Sequence, residues 1–155
     1  MSGAGCMFTN GQVVLAGFQP KIGKISGFGG AKINHEMPYE TAIRETLEEL
    51  FGFENIPYEL IAKMPIVDRH IAYPSYTCFL YNFDDLDTIL RRARRYFLTS
   101  PYYVDFPTNI SELILNRQYS DDTMEVTQLF LIPTDSNVVV SRAFQKDLDA
   151  VSSNL

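Results

Sequence analysis

The sequence predicts a mixed helix–strand fold, of α+β or α/β order. Three observations carry this: two apolar runs joined by Asn10-Gly11 near the start, helical apolar spacing over residues 38–51 and 84–97, and strand-like runs around those helices. Residues 6–9 and 12–18 are the two apolar runs, and an Asn-Gly pair between such runs signals a tight hairpin. Residues 23–30 follow as a glycine-rich connection. Pro38 suits a first helical turn and Gly52 lies just past the helix end, so a helix is expected over residues 38–51. Residues 60–67 and 76–83 read as strands. Residues 84–97 read as a second helix that opens with acids and closes with arginines, in keeping with its dipole. Residues 98–122 are irregular and carry Pro101 and Pro107, with a short helix at 110–115. A late strand at 125–132 and a closing helix at 141–151 complete the order.

At 155 residues the chain fits one domain spanning 1–155. Its 46% hydrophobic and 21% charged content is that of an ordinary soluble globule. Its longest apolar runs, such as residues 129–133, are far too short to span a bilayer, so no membrane partner is expected. The start has no charged and apolar leader pattern. Cys6 and Cys78 have no metal-ligand spacing with each other or with His35 and His70, and read as small buried hydrophobes. A reducing, cytoplasmic setting is expected. The net charge of -6 excludes a protein that grips nucleic acid with its whole surface, and leaves room for one local basic patch.

The chemistry concentrates on the first helix. At about 100° per residue, with Ala42 at zero, Ala42, Ile43, Leu47, Leu50 and Phe51 fall within about 0–180° and face a sheet. Glu45, Glu48 and Glu49 fall within about 240–340°, so three carboxylates share one sector. Like charges at these spacings repel. A hard divalent cation relieves that repulsion, since Mg²⁺ takes oxygen ligands and keeps positions for water and phosphate. An isolated ExxEE is more simply an acidic solvated face, so the neighbouring residues decide between the two readings.

Those residues run Gly30, five residues, Glu36, seven residues, then Arg44-Glu45-Thr46-Leu47-Glu48-Glu49. The pattern resembles the Nudix box, which spans residues 30–53 here, and the preceding Gly27-Phe28-Gly29-Gly30 is similar to that family's approach loop. Two positions depart from it: Thr46 stands where an aliphatic residue is usual, and Phe51 holds the expected glycine position with Gly52 one residue late. A helix lengthened by one residue and closed by a left-handed cap would accommodate the second change. The glycine loop does not match a Walker phosphate loop, since Gly17 is one residue too far from Gly23-Lys24 and Ile25 replaces the Ser/Thr.

The resemblance implies an α/β/α sandwich with a mixed central sheet and the catalytic loop–helix–loop on one side. It implies metal-dependent hydrolysis of a diphosphate linkage in a nucleoside diphosphate-linked substrate, by attack of water on phosphorus. Glu45, Glu48 and Glu49 would be metal ligands, joined by a backbone carbonyl at Gly29, with Mg²⁺ as the ion and Mn²⁺ as an alternative. Arg44 would orient Glu45, and Glu36 would stabilise the loop–helix junction. A further acid from outside the box is expected in the catalytic set; Glu125 is the first choice, ahead of Glu112 and Asp122. His70 stays outside that set.

Substrate choice is less fixed. Arg91, Arg92, Arg94 and Arg95 cover one side of the second helix opposite Leu86, Ile89, Leu90, Ala93 and Phe97, and suit a polyphosphate or RNA, unless they form a solvated face balanced by nearby acids. Phe28 is a candidate to stack on a base, as are Tyr73, Tyr76 and Tyr102. A small-nucleotide or dinucleotide pyrophosphohydrolase leads. An RNA-cap hydrolase using residues 91–95, and a non-catalytic nucleotide- or RNA-binding module, are the alternatives, and a homodimer is compatible with each.

Overall fold

The computed structural model describes residues 2–97, 99–135 and 137–153. Met1, and Leu98 at the start of the segment expected to be irregular, lie outside them. Asn10 makes the expected turn: its Oδ1 accepts from the N–H groups of Gln12 at 2.9 Å and Val13 at 3.0 Å, and Gly11 takes φ 92°. Strands β1 (Gly3–Phe8) and β2 (Val13–Gln19) flank it, but they share only the Thr9–Val14 bridge before entering different sheets. Both edges of each strand are already taken. β1 lies between β4 (Phe28–Ala31), antiparallel, and β6 (Tyr76–Tyr81), parallel, with β5 (His70–Tyr73) beyond β6. β2 lies between β3 (Lys24–Ser26) and β7 (Gln128–Pro133), both antiparallel. A mixed four-stranded sheet thus stands beside an antiparallel three-stranded one.

Alternation along the strands divides the interior into two cores. Ala4, Cys6, Phe8 and Leu15 point one way, into a cluster with Leu47, Leu50, Leu60, Leu90 and Leu113. Met7, Val14 and Ala16 point the other way, against Phe144, Leu148 and Val151. Helices α1 (Pro38–Phe51), α2 (Tyr58–Ala62), α3 (Phe83–Tyr96) and α4 (Ile110–Leu115) supply the first layer, and α5 (Arg142–Ser153) the second. The architecture is the α/β/α sandwich that the sequence implied. Among the described residues, no helix is long and apolar enough to cross a membrane.

Four local expectations need correction. Residues 60–67 do not form a strand: Pro57 starts the short helix α2, and Leu60, Ile61 and Met64 are buried at helical spacing. The glycine-rich connection contains two short strands, β3 and β4, because backbone pairing with β2 and β1 supplies what the side chains lack. The late strand starts at Gln128, leaving Glu125 in the loop before it. Helix α3 begins one residue early because Asn82 caps it reciprocally: Asn82 Oδ1 accepts from Asp85 N at 2.8 Å, and the Asp85 carboxylate accepts from Asn82 N at 3.1 Å.

Helix α1 is anchored at both ends. The Glu40 carboxylate accepts from Met37 N at 2.7 Å, next to Pro38 in the first turn. At the other end all four terminal carbonyls are satisfied, although a helix cannot do this for itself. Glu48 O accepts from Gly52 N at 2.8 Å, and Phe51 O from Ser100 Oγ at 2.6 Å. Glu49 O and Leu50 O accept from the Arg117 guanidinium at 2.7 and 2.6 Å. Gly52 closes the helix in the left-handed region at φ 70°, one residue later than the usual spacing. Replacing Gly52 by Ala should therefore cost about 1–2 kcal/mol for the left-handed backbone, with further strain because the new Cβ would meet Tyr102 Cζ at 2.7 Å. Urea denaturation should show a lowered midpoint at unchanged slope.

Candidate active site

Arg44 organises the acidic face of α1. Its Nε and Nη2 donate to the two Glu36 carboxylate oxygens at 2.7 and 3.0 Å, a fork that Lys would not match. Nη1 donates to Glu45 Oε1 at 2.9 Å and Glu48 Oε1 at 3.0 Å, and Nη2 also donates to Ala31 O at 2.9 Å. All five guanidinium N–H donors are engaged inside the protein. Glu36 also accepts from Ile33 N and Thr41 Oγ1, both at 3.0 Å, tying the loop to the helix start. Burial raises its pKa, but the bonds from Arg44, Ile33 and Thr41 outweigh that and hold it below its ordinary 4.5.

Gly30 lets this cluster approach the sheet. A Cβ there would sit 2.4 Å from Glu45 Cδ, so a side chain at this position would push the Glu45 carboxylate from its place against β4. Gly29 N donates to Glu49 Oε1 at 2.8 Å, fixing that side chain, which is 4% exposed. Burial pushes Glu49 well above the usual carboxylate range; the Gly29 bond pulls it back, and Glu125, Glu45 and Glu48 push it further up. Burial also raises Glu45, opposed by its Arg44 bond and reinforced by Glu48 and Glu125. Thr46, the departure from an aliphatic residue, is buried with its hydroxyl donating to Ala42 O at 2.7 Å, so the polar atom is satisfied within the helix.

Glu125 comes from a loop 76 positions along the chain from Glu49 (125 − 49), and Arg117 brings the two together. Besides the helix carbonyls Glu49 O and Leu50 O, the Arg117 guanidinium donates to Val126 O at 2.7 and 3.2 Å and to Tyr103 Oη at 2.9 Å. It also lies over Tyr102 at 5.0 Å and Tyr103 at 5.7 Å. The outcome is an open cleft of about 320 Å³ lined by Glu48, Glu49, Gly52, Phe53, Glu54, Tyr102, Thr123 and Glu125. No Lys or Arg is among the residues lining it.

Sequence reasoning missed Arg117, Glu54 and Thr123, which carry no motif, and did not separate Tyr102 from other aromatics. Arg117 in particular acts through partners 67 and 68 residues away. Phe28 is corrected: at 2% exposure its ring packs in the core 6.3 Å from Phe8, leaving no free face for a base. Arg91, Arg92, Arg94 and Arg95 are exposed on α3 and do not line the cleft. Glu112 is held by Thr108 N and Oγ1, Asp122 takes the Tyr119 hydroxyl, and His70 Nδ1 meets Asp68 O; none of the three lines the cleft.

Among the described residues, no three acidic, His or Cys side chains close round a common point ready to hold a metal. Arg44 draws Glu45 and Glu48 to one nitrogen while Gly29 holds Glu49. The donor chemistry nonetheless fits a hard divalent cation: the carboxylates are oxygen donors, crowded and underneutralised.

Two measurements test the two clasps. Arg117→Met removes the donors of buried carbonyls, each costing about 1–3 kcal/mol when left unpaired; with some water entry a total loss of roughly 3 kcal/mol is expected from denaturation. The Glu36 pKa is depressed on folding, so its contribution is full above 4.5 and is lost as pH falls through the lower folded value. Acid denaturation of Glu36→Gln should lack that part of the pH dependence; an unchanged acid limb would remove Glu36 from the account.

No protein-family model matches the chain, and no curated protein matches it in sequence. Solved structures do. The chain is similar over 99% of its length, at 14% identity and TM-score 0.54, to a bifunctional NMN adenylyltransferase/ADP ribose pyrophosphatase of Francisella tularensis, of which it spans 41%. It is also similar to a Nudix hydrolase from M. smegmatis, RenU (15% identity, 99% of this chain, 84% of that one, TM-score 0.49). A Nudix-family hydrolase from Clostridium perfringens gives 15% identity, 99% and 96% coverage and TM-score 0.44. A loop–helix–loop over residues 29–53, set against a mixed sheet between helical layers, gives the chain the fold it shares with the matching part of the Francisella protein.

Proposed function

We propose that the chain hydrolyses the diphosphate linkage of a nucleoside diphosphate-linked substrate, with a divalent cation, Mg²⁺ or Mn²⁺, by attack of water on phosphorus. One observation carries this reading: carboxylates from α1 and from the loop before β7 meet at a cleft whose lining has no cationic side chain. The two arginines bonded to this helix, Arg44 and Arg117, have every N–H donor engaged. A diphosphate entering such a cleft is repelled unless a metal supplies the positive charge. The Francisella protein is described with AMP and a Mn ion, which supports a nucleotide-type ligand and a divalent metal here.

Glu45, Glu48 and Glu49 hold the cation, together with the backbone carbonyl of Gly29. When bound, the cation neutralises phosphate oxygens and lowers the pKa of the attacking water. Arg44 keeps Glu45 and Glu48 in position, and the Gly29 N–H keeps Glu49 in position. Glu125, exposed at the rim, takes the proton from the water. Tyr102, half-buried in the cleft wall, offers a ring to the base or leaving group. The two cysteines are free and buried, which supports a reducing, cytoplasmic setting.

A panel of nucleoside diphosphate-linked substrates with Mg²⁺ or Mn²⁺ tests the reading. Hydrolysis should require the cation, stop with EDTA, and fall about 100-fold or more in Glu48→Gln and Glu49→Gln. Nucleotide binding without turnover on any substrate would instead favour a non-catalytic module. Turnover that persists in both variants would rule out these carboxylates.

A further inference from the structure

Arg44 and Arg117 have every N–H donor engaged inside the protein. Arg92 and Arg95, on α3, do not. Among the described residues the ion pairs belong to Arg44, and neither of these two takes part in one. Arg92 donates to Lys63 O and so joins α3 to the end of α2, which leaves most of its guanidinium donors unspent. Lys63, Arg92 and Arg95 are all exposed. With Ala62, Met64 and Tyr96 they line an open cleft of about 650 Å³ between the two helices.

Three cations thus converge on one concavity. Arg92 and Arg95 are three residues apart and share a face of α3, while Lys63 reaches the cleft from the end of α2. Like charges so placed repel, and an anion held between them relieves the repulsion. The guanidinium fork suits phosphate oxygens in particular. Arg94 belongs elsewhere: turned about 100° from Arg95, its charge acts on Glu112, which Thr108 holds.

Shape and lining select among anions. The volume lies within the range of about 300–1,000 Å³ usual for small-molecule sites. Ala62 and Met64 give the lining an apolar part. Tyr96 is 37% exposed, with Lys63 Nζ 5.1 Å from its ring centroid. A flat ring beside three cations fits a ligand that carries both a flat ring and a polyphosphate. None of these residues lines the carboxylate cleft.

We propose that the α2–α3 cleft is a second, non-catalytic site that binds a nucleotide. Lys63, Arg92 and Arg95 hold its polyphosphate, and Tyr96 stacks on its base. The site goes beyond the hydrolytic reading and does not rest on it. Side-chain cations meet the phosphates here, whereas the carboxylate cleft needs a metal to do so. Binding between α2 and α3 is therefore independent of divalent metal, and that property separates the two sites.

The test is isothermal titration of the full chain with ATP in EDTA. Metal-free ATP should bind, and more weakly as salt is raised. Combined Lys63→Gln and Arg95→Gln should weaken it at least about tenfold, while Glu48→Gln should leave it unchanged. Tyr96→Ala should weaken ATP about fivefold or more and leave inorganic triphosphate, which has no base, unaffected. Metal-free ATP should also raise the thermal midpoint of the parent and not that of the double variant. Without ligand the variants should melt with the parent, as expected for exposed positions.

Absence of ATP binding in EDTA, or equal affinity in the double variant, overturns the proposal. Binding that requires Mg²⁺ and falls with Glu48→Gln puts the nucleotide in the carboxylate cleft and overturns it as well. Inorganic triphosphate binding as tightly as ATP, with no effect of Tyr96→Ala, overturns it in favour of a bare anion site. Charge-dependent binding to single-stranded RNA or to phosphatidylserine vesicles, without binding of ATP, overturns it in favour of a macromolecular surface. Metal-free ATP binding that the double variant loses, with no hydrolysis of any substrate, upholds the site while removing the hydrolytic reading.

Discussion

Crowding of like charge on one helix face is the constraint that organises this molecule. Glu45, Glu48 and Glu49 repel one another, and burial makes Glu45 and Glu49 harder still to keep ionised. A free helix would relieve this by fraying or turning its acids to water. Here it can do neither. Arg44 grips the acids and the preceding loop with all five of its donors, and Arg117 holds two carbonyls at the helix end while its other donors go to Val126 O and Tyr103 Oη. The charge is thereby held in place without being fully neutralised, which is the electrostatic condition of a cation site.

The sheets supply the rigid wall that makes this containment work. β1 is paired on both edges, so its partner β4 cannot drift, and β4 presents Gly29 and Gly30 to the helix. One gives a backbone N–H to Glu49, and the other gives Glu45 the space that a side chain would occupy. Apolar packing of Leu47, Leu50 and Phe51 beneath the helix fixes its rotation, so the acidic sector faces the cleft and not the core. Beyond the fully engaged Arg44 and Arg117, positive charge is kept away from the cleft lining. The exposed arginines of α3 stand outside the carboxylate cleft, so they leave its excess negative charge intact.

Local chemistry was legible wherever neighbours in sequence are neighbours in space. The bounds of α1, its Pro38 start and its displaced Gly52 cap follow from residues within one or two turns of each other. The Glu36–Arg44 spacing belongs to the same class, eight residues across a loop–helix junction. Segments with ambiguous pattern were misread. Residues 60–67 are apolar enough to suggest a strand, but Pro57 and the floor offered by α1 select a helical turn. The glycine-rich residues 24–31 lack strand formers, and pairing with β1 and β2 makes them strands.

The sequence by itself determined which residues share a helix face, where that helix starts and stops, and which charges repel across it. These depend on a fixed rotation and rise per residue, which any reader of the chain can apply. Tertiary structure alone decided that the Asn10-Gly11 turn would part its strands into two sheets, that Phe28 would be buried in the core, and that Glu125 would face Glu49. It also decided the part played by Arg117. Its five bonds reach carbonyls and a hydroxyl on three other segments of the chain, and backbone carbonyls have no signature in sequence. A guanidinium shows its purpose only once the chain has folded around it.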